Sequence, residues 1–270
     1  MVSKRGFILA NWRDLKLVVS RADVVLEVLD ARDPLSTRSR KLEAIVQNLG
    51  RELILVLNKS DLVPREIVEK WTRIFRDQGY RTVYIAARDH KGTRVLRRAI
   101  KEAAPAFPVV VAVTGYPKTG KSTIINALKG RHSAPTSPIP GSPGYTKHIQ
   151  LYRIDSKILM IDTPGVIPIE GGPLERIIRG ASPEQLDDPV KPAIMLIEKI
   201  LRHNPYAIRS AYGITETEPL KILEALAIKR GWFYRKTKEP LIEEAARTII
   251  RDYHKGKIPF FIKPDHVLSI

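Results

Sequence analysis

The sequence predicts an α/β sheet domain followed by an all-helical domain. Three observations carry that expectation. Apolar runs rich in Val, Ile and Leu alternate with helical patterns through the first two thirds of the chain, as βα units do. One such run opens onto Gly115-Tyr116-Pro117-Lys118-Thr119-Gly120-Lys121-Ser122, a glycine-rich loop of the kind set between a strand and a helix. After about Gly172 the β pattern stops and 3.6-residue periodicity replaces it.

The elements follow in order. VVLEVLD (Val24 to Asp30) and ELILVLN (Glu52 to Asn58) read as buried strands. A helical stretch from Pro64 to Gly79 precedes a third strand, RTVYIAA (Arg81 to Ala87). PVVVAVTG (Pro108 to Gly115) is a fourth apolar run. HIQLYRI (His148 to Ile154) alternates, as an edge or antiparallel strand would, and KILMID (Lys157 to Asp162) is apolar again. Four of these strands end in a polar or glycine-rich turn, where α/β sheets place ligands. Beyond them, PVKPAIMLIEKILRH, EPLKILEALAIKR and EPLIEEAARTIIRDYHKGK read as three amphipathic helices. Pro219 and Pro240 each fall where a first helical turn tolerates proline. The expected domains are residues 1–172 and 173–270, with the boundary between Ile169 and Pro183.

Composition narrows the function classes. With 43% apolar and 28% charged residues the chain reads as globular rather than disordered. The absence of cysteine excludes a disulfide framework and a thiolate metal site. The N-terminal apolar run, Gly6 to Ala10, is too short for a signal peptide, and the longest uncharged apolar stretch, Ala103 to Pro117, contains three prolines. A soluble, cytoplasmic protein, monomeric when free and with no membrane partner, is expected. His132, His148 and His254 lack ligand-like spacing, so no metal site beyond Mg²⁺ is expected. A net charge of +17 attracts polyanions, of which nucleic acid is the commonest in a cell.

Three motifs carry the chemistry. Residues 115–122 fit G-x-x-x-x-G-K-[ST] in the context that a P-loop requires; a chance match is expected in roughly one chain per hundred of this length. The glycines let backbone N–H groups of the loop curl around phosphate oxygens, with Tyr116, Pro117, Lys118, Thr119 and Gly120 lining the nucleotide; Lys121 would neutralise β- and γ-phosphate charge, and Ser122 would ligate Mg²⁺, with Thr123 beside it. Asp162-Thr163-Pro164-Gly165 ends a strand at a spacing that suits a Mg²⁺-holding carboxylate, Asp162, and a γ-phosphate sensor, the Gly165 N–H. Between them, in a Pro/Gly-rich loop 24 residues beyond Ser122, Thr146 is placed to reach Mg²⁺ and γ-phosphate. Asn58-Lys59-Ser60-Asp61 fits the N-K-x-D guanine reader. Asp61 can accept from N1–H and the 2-amino group of guanine, whereas adenine would leave a carboxylate unpaired. Lys59 would lay its stem along the base, and the Ala86-Ala87 backbone can donate to guanine O6. GTP or GDP with Mg²⁺ is the implied ligand, with Lys121, Thr146 and Gly165 as the catalytic set.

The guanine readers precede the phosphate readers, the reverse of ordinary GTPases. In that order, and in Asp30-Ala31-Arg32-Asp33-Pro34, the P-loop, Pro143-Gly144-Tyr145-Thr146, DTPG and the tail AARTIIRDYHKGKI, the chain resembles the circularly permuted GTPases of the YlqF/RbgA and YawG group. The resemblance implies a Ras-like P-loop GTPase domain, a helical RNA-binding domain, and GTP hydrolysis that depends on the large ribosomal subunit. Two departures stand out. The group's P-loop has an asparagine that helps to bind an activating K⁺, where this chain has Lys118, and the group's bacterial members carry an N-terminal histidine, whereas here none occurs before His90. Val166 follows DTPG, so no glutamine is there to orient water, and slow intrinsic hydrolysis is expected.

For ribosomal RNA, the candidates are Lys229, Arg230, Arg235, Lys236 and Lys238, which interleave with Trp232, Phe233 and Tyr234. The bland reading makes Trp232 and Phe233 core residues with cations snorkelling around them. Arg32 is expected to be structural. The rival functions are a regulatory switch with a protein partner and no RNA role, and an RNA-binding module with an inert nucleotide site. The high charge opposes the first, and intact Lys121, Ser122, Thr146 and Asp162 oppose the second.

Overall fold

The computed structural model describes residues 12–129, 135–136, 150–162 and 169–265. The chain divides into two compact units, residues 1–170 and 171–270.

The first unit holds seven strands: β1 (Val24–Asp30), β2 (Glu52–Asn58), β3 (Arg81–Tyr84), β4 (Val109–Thr114), β5 (Pro135–Thr136), β6 (Gln150–Arg153) and β7 (Ile158–Asp162). They form one sheet in the order β3-β2-β1-β4-β7-β6-β5. The first five in that order are parallel, and β6 and β5 add antiparallel pairs at one edge. All seven residues of β1 are buried, as expected of a central strand covered on both faces. Its side chains divide by the period of two. Val24, Leu26 and Val28 join the core beneath α4 (Thr93–Ala103) and α5 (Lys121–Leu128), whereas Val25 joins Leu15, Val18, Leu42 and Val46 from α1 (Trp12–Ser20) and α2 (Arg40–Asn48). A further helix, α3 (Arg65–Asp77), buries Ile67, Val68, Trp71 and Phe75.

The expected strands are present, with one shortened. β3 leaves the ladder after Tyr84, because Ile85 still donates to Leu57 O but Ala86 turns to exchange hydrogen bonds with Lys91. Chain order and sheet order together give the circularly permuted fold that the motif order implied. Every parallel strand ends at the same edge, so Asp30, Asn58, the turn after Tyr84, the loop after Thr114 and the backbone of Asp162 converge there.

The second unit contains five α-helices among the described residues: α6 (Pro173–Gly180), α7 (Val190–His203), α8 (Ala207–Tyr212), α9 (Pro219–Lys229) and α10 (Ile242–Lys255). Three were expected; α6 and α8 are additional, and their six to eight residues are too few to display a period. α10 buries Ala245, Ala246, Ile249, Ile250 and Tyr253 where it packs on α7 and α9. Glu175 is buried and pairs with Arg179 and with Lys199, each at 2.8 Å. Gly213, at φ +64°, ends α8.

Candidate nucleotide site

The glycine loop follows β4 and opens α5, with Gly120 as the residue before the helix at φ +99°. Its two glycines are forced by neighbours as well as by dihedrals. A Cβ on Gly115 would lie 2.5 Å from Val28 O, and one on Gly120 would lie 2.2 Å from Asn58 Nδ2. Lys118 holds φ +65°, an uncommon conformation for a side chain of its size. Thr119 Oγ1 donates to Tyr116 O (2.9 Å), which tightens the loop. Lys121 is buried, and its ammonium donates to Gly115 O (2.8 Å) and Tyr116 O (2.9 Å). The lysine therefore lies back over the loop, where its proton donors are kept satisfied. Ser122 and Thr123 are exposed at the N-terminal end of α5.

The base-reading motif and the phosphate loop are joined by one side chain. Asn58 Nδ2 donates to Thr119 O (2.9 Å), and its Oδ1 accepts from Ala87 N (3.2 Å). An Asn can serve as both donor and acceptor here, which neither Asp nor Leu can do. Lys59 adopts the left-handed conformation, and Asp61 lies in the following 3-10 turn (Ser60–Leu62), exposed to solvent. Lys59 Nζ donates to Asp30 Oδ2 (2.9 Å).

Tyr116 extends the loop's reach. Its hydroxyl accepts from the Glu170 N–H (3.1 Å), and Ser39 Oγ donates to Glu170 Oε2 (3.2 Å). Glu170 is the last residue of the first unit and lies five positions past Gly165. Burial, helped by the nearby Glu170 and Glu27 carboxylates, pushes the Tyr116 hydroxyl pKa up. Glu27, in the middle of β1 opposite Thr114, is fully buried. Its Oε1 accepts from Ser39 N (2.6 Å), and its Oε2 has no partner. Desolvation pushes its pKa up to about 8.

Two groups of sequence candidates have partners within the chain. The N–H groups of Ala86 and Ala87 are both engaged, the first with Lys91 O (3.1 Å) and the second with Asn58 Oδ1. The next donor along is Arg88, in the first turn of the 3-10 helix Ala87–Asp89, where helices leave N–H groups unpaired within themselves. The engagement of Ala87 is invisible in the sequence because the Asn58 side chain reaches it from the neighbouring strand. The other is Lys229, whose ammonium donates to Tyr212 O (2.6 Å) at the end of α8.

The remaining cationic candidates sit on a tight turn of the helical unit. Tyr234 N donates to Glu239 O (2.9 Å), Lys238 N to Tyr234 O (3.0 Å) and Leu241 N to Trp232 O (2.9 Å). Arg235, Lys236 and Lys238 are exposed at its tip, and Arg230 is exposed at its base. Phe233 and Tyr234 are 41% and 42% exposed, whereas Trp232 is half-buried. Arg32 is wholly buried. Thr146 and Gly165 lie outside the described residues, and of Asp162 only the backbone is described: the last residue of β7, opposite Val113. Among the described residues no cluster of three His, Cys, Asp or Glu could hold a metal, and no helix is long and apolar enough to cross a membrane.

Comparison with known proteins fits this geometry. A family model described as RsgA GTPase matches residues 4–170. The chain is 36% identical over 249 residues to a GTP-binding protein of Methanocaldococcus jannaschii, covering 90% of this chain and 65% of that one. It is 32% identical over 273 residues to Nucleolar GTP-binding protein 2 of Neurospora crassa, covering 93% of this chain and 41% of that one. The chain thus spans two thirds or less of the length of these relatives. Among solved structures, GNP-bound YlqF from T. maritima superposes with a TM-score of 0.65 at 25% identity, covering 92% of this chain and 95% of that one. A GDP-bound YlqF gives a TM-score of 0.68 at 24% identity, covering 94% of this chain and all of that one.

Proposed function

The chain belongs to the RsgA GTPase family, and from that premise we propose that it binds GTP at the C-terminal edge of its sheet, hydrolyses it, and uses the nucleotide state to time docking on ribosomal RNA of the large ribosomal subunit. The observation that carries the nucleotide reading is the Asn58 bridge, which holds the N-K-x-D loop, the Ala87 turn and the phosphate loop as one unit.

Asp61 reads guanine through N1–H and the 2-amino group, Lys59 floors the base, and the Arg88 N–H, rather than that of Ala86 or Ala87, meets O6. The ammonium of Lys121 exchanges its two carbonyl partners for β- and γ-phosphate oxygens when nucleotide enters, so its hydrogen bonds are kept rather than created. Ser122, Thr146 and Asp162 supply two hydroxyls and a carboxylate, hard oxygen donors of the kind that Mg²⁺ takes. Exposure of Ser122 at the head of α5 leaves its hydroxyl accessible to such an ion. Mg²⁺ would supply neutralisation of charge on the transferred phosphoryl group. Gly165 would sense the γ-phosphate. Val166 cannot orient water, so turnover is slow until a partner supplies the missing group.

RNA binding is supported by the charge of +17, by the resemblance, and by relatives named as nucleolar GTP-binding proteins. Arg230, Arg235, Lys236 and Lys238 would meet phosphates, and the exposed rings of Phe233 and Tyr234 would meet unstacked bases. The test has two arms. Asp61→Asn should move preference from guanosine to xanthosine triphosphate, because Asn offers the xanthine 2-oxo group a donor; unchanged GTP affinity would rule out Asp61 as the reader. Co-sedimentation with large subunits should be stronger with a non-hydrolysable GTP analogue than with GDP, and absence of co-sedimentation in either state would remove the ribosomal part.

A further inference from the structure

The register of β1 against β2 sets Asp30 directly opposite Asn58, one residue before Lys59. The strands stay joined past their ends, since Ala31 N donates to Asn58 O (2.8 Å). Asp30 is fully buried, and its carboxylate accepts from Arg32 Nη2 (2.8 Å), Arg32 Nε (3.0 Å), the Arg32 backbone N–H (3.2 Å) and Lys59 Nζ (2.9 Å). Arg32 is itself wholly buried. Two cations and a backbone donor thus take the place of the water that such an enclosed carboxylate has lost. The turn that places it is equally determined. Asp33 N donates to Asp30 O, the Asp30 N–H donates to Thr37 Oγ1, and that hydroxyl donates onward to Asp33 O or Pro34 O.

We infer that Asp30 is a positioning residue for guanine recognition, acting through Lys59, and that Arg32 fixes the Asp30 carboxylate for that purpose. The inference rests on the base-reading role proposed for residues 58–61. Lys59 holds φ +63°, a conformation that a long side chain adopts only when its surroundings over-determine it. Its side chain is 17% exposed, so the stem lies along the protein with its end tied to Asp30. A lysine free at its end would sample many rotamers and lose that freedom on binding a base. One already anchored has lost it beforehand, so the base meets a formed surface. The Asp-Ala-Arg segment thereby serves the nucleotide site without touching nucleotide.

The test separates the base from the phosphates. GDP, ADP and inorganic pyrophosphate are titrated against the unsubstituted protein, Asp30→Asn, Asp30→Glu and Lys59→Met. Asp30→Asn should weaken GDP binding about tenfold, the worth of one charge-assisted hydrogen bond, and leave pyrophosphate competition within about twofold. Adding Asp30→Asn to Lys59→Met should cost GDP affinity nothing further, since the lysine through which Asp30 acts on the base is already gone. Should loss of the Arg32 partner unfold Asp30→Asn, Asp30→Glu retains the charge but displaces it, and the same split between GDP and pyrophosphate is expected. Equal loss of GDP and pyrophosphate, or fully independent effects in the double variant, would overturn the inference in favour of a merely structural Asp30. If the unsubstituted protein fails to prefer GDP over ADP, the base-reading site itself is wrong, and this inference falls with it.

Discussion

Glu27 makes folding stability depend on pH in a direction opposite to that of most carboxylates. It lies in the central strand, fully buried, with one oxygen accepting from Ser39 N and the other without a partner. Desolvation raises its pKa from 4.5 to about 8, and the neighbouring Glu43 adds to the rise, while the Ser39 N–H and the charges of Arg38 and Arg40 oppose it. In the unfolded chain it ionises near 4.5, so between 4.5 and 8 folding requires a proton to be taken up. Its contribution is therefore fully present below pH 4.5 and is lost as pH rises through 8. The slope is about 1.4 kcal/mol per pH unit, and over the whole window the loss is on the order of 5 kcal/mol. Glu27→Gln carries a neutral amide of the same shape, can still accept from Ser39 N, and has no such slope. Urea unfolding of both proteins at several pH values isolates the effect, because every other titrating group cancels in the difference. The two should be nearly equal near pH 4.5, with the Gln variant gaining steadily to pH 8 and the gap constant above it. A pH-independent difference would show that Glu27 is ionised in the folded protein, with a compensating partner that the geometry lacks.

Asn58→Ala should leave Thr119 O and the Ala87 N–H unsatisfied, lower stability by about 1–3 kcal/mol, and weaken GDP binding, as chemical denaturation and calorimetry would check. Phe233→Ala with Tyr234→Ala should weaken binding to single-stranded RNA by about 1–3 kcal/mol per lost stack, whereas Lys236→Ala with Lys238→Ala should lower the salt dependence of binding; Lys229→Ala should act on helical-unit stability instead. Turnover by the purified protein should be slow and should rise on addition of large ribosomal subunits, as single-turnover assays would show. Lys118 places an ammonium where the resembling GTPases use asparagine to help hold K⁺, so stimulated turnover should be equal in K⁺ and Na⁺ buffers of matched ionic strength, and Lys118→Asn should create K⁺ dependence.

What could be read from the chain beforehand was whatever chemistry forces into residue types. A phosphate cradle needs glycine at positions 115 and 120 and a lysine at 121, so the loop announces itself. Buried parallel strands need unbroken apolar runs, so β1, β2 and β4 do too. What could not be read depends on register and on hydrogen bonds made across the fold. The Ala87 N–H is taken only because Asn58 reaches across from β2. Asp30 meets Lys59 only because two strands pair without offset. The reading that makes Trp232 and Phe233 core residues divides between them: the turn half-buries Trp232 but exposes Phe233 and Tyr234. The short helices α6 and α8 carry too few residues for a period to declare itself.

The permuted motif order follows from how the site is built. Each motif hangs from the end of a strand, and strand adjacency, not chain order, brings the ends together: β2 beside β1, β1 beside β4, β4 beside β7. Cutting the chain elsewhere leaves those ladders intact. What the cut does change is which segment leaves the domain last. Here it is the stretch after Asp162, and its final residue, Glu170, is held by the hydroxyl of Tyr116 and by Ser39. Tyr116 is part of the phosphate loop itself, and its backbone carbonyl is also a resting partner of Lys121. If Lys121 leaves that carbonyl for a phosphate, as proposed, the residue losing a partner would be the same one that holds Glu170. On the proposed reading, nucleotide binding would therefore be felt at Tyr116, the residue that also holds Glu170, which gives the proposed GTP-timed docking a physical starting point within the first unit alone.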